Sequence, residues 1–97
     1  MNLKELRKEI DAVDQELVAL FEKRMAIAER IAAWKQKEGM QVQDAAREAE
    51  KIAQVQNLTH TPFNREHVGE LYTVLISLSR KLQEEVAKNN KSLNTLL

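Results

Sequence analysis

Residues 20–35 read LFEKRMAIAERIAAWK, and the register of this stretch decides the fold. Followed back to the N-terminus, the apolar positions are Leu3, Leu6, Ile10, Val13, Leu17 and Leu20; beyond a gap come Ile27, Ile31 and Trp34. The steps alternate between three and four, the period of one helical face. The slot missing from the ladder is filled by Arg24. Asn2 with Glu5 reads as a capping box and Gly39 as a C-terminal stop, so one helix is predicted to run to Lys37. About 35 residues at a rise of ~1.5 Å span roughly 50 Å. A compact domain of this chain length is only about 30 Å across. The first helix therefore overshoots its own domain, and its apolar stripe calls for cover from another chain. A C2 homodimer with helices shared between subunits is the expected arrangement.

Composition narrows the class of protein. Among 97 residues there are two glycines, one proline, 4% aromatics and 31% charged residues, a mix that favours helix over sheet in a single domain. The formal net charge is zero, so no global field draws the chain to nucleic acid or to a membrane surface. Cysteine is absent, which excludes disulfides and thiolate chemistry. The two histidines, His60 and His67, fall near a loop and a helix start and read as surface residues, so no metal site is expected. No run approaches the ~20 apolar residues of a membrane span, and no signal peptide opens the chain. A cytoplasmic protein is the expectation.

Two further helices follow. One is predicted from about Asp44 to Asn57, with a small apolar face of Ala45, Ala49, Ile52 and Ala53. LTHTPFN, residues 58–64, reads as a loop; Asn64 is the expected cap of the third helix, with Phe63 and Val68 spaced for a hydrophobic staple. That helix carries Val68, Tyr72, Leu75, Leu82 and Val86 on one stripe. The periodicity lapses after about Lys88, which predicts a domain of residues 1–90 and a frayed polar tail at 91–97. The fold class is therefore all-α: a three-helix subunit with one very long N-terminal helix, in an intertwined homodimer.

Polar residues recur on the inward faces. Arg24 interrupts the first stripe, Ser79 fills the slot between Leu75 and Leu82, and Gln83 lies one turn further on. Arg24 and Lys35 are eleven residues apart, only ~20° around the helix and about 16 Å along it, so they share a face. Arg7 lies ~25 Å from Arg24 and ~100° around, which bars it from a small ligand held by Arg24 of its own chain but not from one held by a partner's. On the second helix, Asp44, Arg47 and Glu48 form one polar face at i, i+3 and i+4. Each has a plainer reading. Arg24 can set register, Ser79 can bond to the preceding turn, Gln83 can be half exposed, Asp44 can be an N-cap, Arg47 and Glu48 a solvated face, and Arg7 a surface residue. A buried guanidinium still needs an anion, since leaving it unpaired costs several kcal/mol. No acidic residue occupies another slot of its seam, so a bound ligand is a candidate partner.

These residues resemble the all-helical class of chorismate mutases over about Leu3 to Val86. LRKEID…VDQELVALFEKR is similar to that family's opening, AAWKQKEG with VQDAAREAE to its K…D-x-x-R-E element, and LISLSRKLQ to its I-x-x-S-x-x-x-Q. The resemblance implies a dimer with two active sites. Arg7 would come from the partner subunit. Arg24 and Arg47 would hold substrate carboxylates, and Ser79 would contact that side. Lys35 and Gln83 would bond the ether oxygen of the breaking bond. Asp44 and Glu48 would lie near the ring hydroxyl, and Ile27, Ile31 and Val42 would pack on the ring.

The activity so implied is rearrangement of chorismate to prephenate, in phenylalanine and tyrosine biosynthesis, by electrostatic and conformational stabilisation. It needs no nucleophile, metal or cofactor. Four cations (Arg7, Arg24, Lys35, Arg47) and two anions (Asp44, Glu48) leave an excess matching a dianionic substrate. Two other readings stand beside it. Isochorismate pyruvate lyase has the same fold and shares the arginines, lysine and glutamine, but lacks the complete D-x-x-R-E element. A non-catalytic helical dimerisation or regulatory module is the other. The opening Met and the polar tail favour a free-standing protein.

Overall fold

A computed structural model describes the backbone of residues 2–96 and the side chains of residues 2–89. Three helices account for the fold: α1 (Leu3–Lys37), α2 (Ala45–Leu58) and α3 (Pro62–Leu96). The first begins as its sequence signals. Asn2 accepts from the Glu5 N–H at 2.9 Å and its own N–H reaches Glu5 Oε2 at 3.4 Å, which completes the capping box. The helix ends in a Schellman motif: the Gly39 N–H donates to Gln36 O and the Met40 N–H to Lys35 O. Gly39 sits at φ 68°, where a Cβ would be strained.

α2 starts where Asp44 caps it, accepting from the Arg47 N–H at 3.0 Å. The start of α3 differs from expectation. Thr61, not Asn64, is its cap: Thr61 Oγ1 accepts from the Asn64 N–H at 3.2 Å, and Thr61 O accepts from the Arg65 N–H. Pro62 then occupies the first helical position, where its fixed φ suits the helix and its missing N–H costs nothing. Phe63 is consequently inside the helix, 70% exposed, and tilts against the His67 ring rather than forming a staple. α3 has 35 residues, the same as α1, so the chain has two long helices. α3 runs on through residues 91–96, the segment expected to fray.

α3 is the central element, packing against both α1 and α2. Ala28 and Ala32, one turn apart on α1, are buried and let that helix approach closely. Gly69 plays this part against α2; a Cβ there would meet the Gln56 amide nitrogen at 3.1 Å. The rest of the buried set is thin, with Val55, Ser79 and Gln83.

The molecule measures 62 × 28 × 14 Å, with a radius of gyration of 17.4 Å, against about 12–13 Å for a compact chain of this length. It exposes 8058 Å², where a compact monomer of its mass exposes about 5,700 Å². The excess is apolar. Leu3, Leu6, Ile10, Val13, Leu17 and Leu20, the first half of the ladder, are all exposed. Among the described residues no helix is long and apolar enough to cross a membrane.

The close approach of α1 and α3 depends on small side chains. Ala32→Leu is expected to lower stability by about 1–3 kcal/mol through overpacking, read as a reduced urea midpoint.

Candidate active site

Between the three helices lies a cleft of about 610 Å³. α1 lines it with Arg24 and Lys35, α2 and its cap with Asp44, Arg47 and Glu48, and α3 with Ser79 and Gln83. Every polar residue singled out from the sequence therefore reaches this cleft, save Arg7. Arg7 is exposed and lies outside it, as its place on the helix requires. Ile27, Ile31 and Val42 supply apolar wall. A second hollow, of about 560 Å³ at the turn between α2 and α3, is lined by none of these residues.

Arg24 is held from two sides. Its Nη1 donates to Ser79 Oγ at 2.6 Å, and its Cζ lies 5.7 Å from the centre of the Tyr72 ring. Ser79 Oγ is also within 2.9 Å of Leu75 O, to which it can pass its own proton. Ser79 thus bonds back to the preceding turn and also meets the guanidinium, since donating to Leu75 leaves its lone pairs toward Arg24. No carboxylate pairs with Arg24 within the chain among the described residues.

Lys35 Nζ donates to Val42 O at 2.7 Å. That bond ties α1 to the loop before α2 and leaves two ammonium protons for the cleft. The plainer readings of Asp44 and Arg47 also hold, whereas Glu48 is not on a solvated face: its side chain is only 22% exposed and meets Arg80 of α3. Asp44 is an N-cap, and Arg47 reaches Glu50 at 3.6 Å on the exposed side. An exposed pair of this kind is weak, so Arg47 is easily redirected.

Gln83 is 8% exposed, and its Oε1 is the buried side-chain polar atom without a partner among the described residues. An unsatisfied carbonyl of this kind costs about 1–3 kcal/mol. A polar group is kept in this wall at the expense of packing.

Arg80 and Lys51 also line the cleft and were not singled out from the sequence. Arg80 donates to Glu48 Oε1 through Nε at 3.2 Å and Nη2 at 2.5 Å. The signal was available: Arg80 follows Ser79 on the helix and lies one turn beyond Ile76, so it shares the cleft side of α3. Its partner, however, is 32 residues away and on another helix. No group of three or more metal-ligating side chains is present among the described residues.

The chain matches a known family. The model for "Chorismate mutase type II" matches residues 6–84. The chain belongs to the chorismate mutase type II family. It is also 32% identical over 88 residues to a bifunctional chorismate mutase/prephenate dehydratase of Aquifex aeolicus (strain VF5), across 87% of this chain. The chain spans about a quarter of that relative, 24% of its length. Family membership accounts for the all-helical architecture and makes this an isomerase family.

Gln83 gives a prediction independent of any substrate. Gln83→Leu removes the orphaned carbonyl and should raise the unfolding midpoint by about 4–8 °C in a thermal melt.

Proposed function

We propose that this cleft binds chorismate and catalyses its rearrangement to prephenate. The supporting observation is convergence: the seven polar residues expected from the sequence between Arg24 and Gln83 all line one cleft beside Ile27 and Ile31. The reaction is intramolecular. It needs the substrate folded so that the bond-forming carbons meet, and donors aimed at the ether oxygen as the C–O bond breaks.

Arg24 and Arg47 hold the two carboxylates, for which the planar guanidinium fork is suited. Ser79 and Tyr72 fix the Arg24 guanidinium before substrate arrives, so little reorganisation is needed. Lys35 and Gln83 donate to the ether oxygen. The Gln83 amide does so by presenting Nε2. Asp44 and Glu48 accept from the ring hydroxyl.

The partner's Arg7 completes the site in a homodimer. The exposed apolar ladder of α1 and the excess surface support that assembly. A second copy covering Leu3 to Leu20 also brings a foreign α1 into reach of the cleft. In this reading the protein takes part in aromatic amino acid biosynthesis in the cytoplasm.

The direct test is loss of chorismate absorbance with formation of prephenate. Pyruvate release from isochorismate, without prephenate from chorismate, would establish the lyase instead. Arg24→Ala should lower turnover by about 100-fold or more, while sedimentation still gives twice the chain mass of 11.2 kDa. A changed oligomeric state with turnover retained would make Arg24 a register device.

The amide at position 83 donates at any pH, so the rate should not require acid. Gln83→Glu must be protonated to donate. Its activity should therefore rise as pH falls toward the ordinary glutamate range near ~4.3, read from a pH–rate profile.

A further inference from the structure

Glu48 stands in a cleft proposed to take a dianion, and a carboxylate there opposes that charge. The cations beside it do not attend to it. Arg47, its neighbour in sequence, is turned outward to Glu50. Lys35 is bonded to Val42 O, and Lys51 donates to Gln54. The cation that meets Glu48 comes from α3. Arg80 places both Nε and Nη2 on one oxygen, Oε1, and the two side chains are only 34% and 22% exposed. Oε2 has no hydrogen bond from the protein among the described residues. The carboxylate is thus clamped by one oxygen and open at the other.

We propose that Arg80 is a positioning residue for the substrate: it fixes Glu48 by Oε1, offsets its charge, and leaves Oε2 as an aimed acceptor for the substrate hydroxyl. The inference rests on the reading of the cleft given above. Two features set it apart from a simple brace between α2 and α3. Both donors converge on one oxygen, where a brace is served equally well by one bond to each. Arg80 itself lines the cleft, next in sequence to Ser79 and three residues before Gln83. With Arg80 absent, Glu48 is free to turn toward Arg24 or Arg47 and compete with the substrate carboxylates.

The competition acts on bound substrate and transition state alike, so the effect falls on KM more than on kcat. The test is steady-state kinetics with chorismate on the wild type, Arg80→Ala, Glu48→Gln and the double variant, with thermal melts alongside. Arg80→Ala is expected to raise KM about tenfold, with kcat changed less than about threefold. In the Glu48→Gln background, where no carboxylate remains to be held, the same change should alter KM less than about twofold.

Should Arg80→Ala fail to fold, Arg80→Lys decides. It keeps the charge but not the fork, and an intermediate rise in KM, about threefold, is expected. Wild-type KM in the variant that folds, a loss confined to kcat, or an equal KM penalty with and without the Glu48 carboxylate overturns the role of Arg80. A fall in melting midpoint with unchanged kinetics reduces the pair to a brace and overturns it likewise. Wild-type protein that does not turn over chorismate overturns the reading of the cleft, and the role with it; the two failures are told apart by the wild-type rate.

Discussion

The structure depends on a guanidinium placed inside an apolar seam. Arg24 occupies a slot of the α1 ladder that every neighbouring turn fills with an aliphatic side chain, and it is half-buried against α3. A cation there is tolerated because α3 supplies a hydroxyl acceptor and an aromatic face, Ser79 and Tyr72. These contacts are neutral. They orient the charge without cancelling it, so the protein keeps a localised demand for an anion. The other features of the cleft are arranged around that demand.

The helices meet that demand at the cost of a core. Two alanines and a glycine bring the helices together, and beyond Val55 the buried set consists of a serine and a glutamine. Space that larger side chains would fill is left as a cleft. The backbone around it is tied by specific polar bonds, such as Lys35 to Val42 O and Arg80 to Glu48. The first closes the turn between α1 and α2 and the second joins helices 32 residues apart, and both act where apolar packing does not.

Several residues make a structural bond and also line the cleft, so their plain readings stand beside the proposed ones. Asp44 caps α2 through one oxygen and lines the cleft. Ser79 bonds back to Leu75 O and also receives Arg24. Arg47 holds a weak pair on the surface from a position that borders the site. A short polar side chain at a helix end or in a close crossing has more than one lone pair, so local structure need not exhaust it.

Much of this was legible in the sequence because it follows from one helix at a time. The three–four ladder, the Asn2 box, the Gly39 stop and the shared face of Arg24 and Lys35 are consequences of a 3.6-residue period and of capping chemistry. So were the gap at Arg24 and its counterpart at Ser79. The resemblance to a family added which residues act together. Local competition hid the rest: Thr61 outbid Asn64 as a cap because Pro62 is pre-set for the first helical turn. Only the tertiary structure decided which groups neutralise one another. Arg80 and Glu48 are 32 residues apart on different helices, and nothing in either helix alone aims one at the other. Period and caps determine each helix; the crossing of α2 over α3 determines which charges meet and which are left for a ligand.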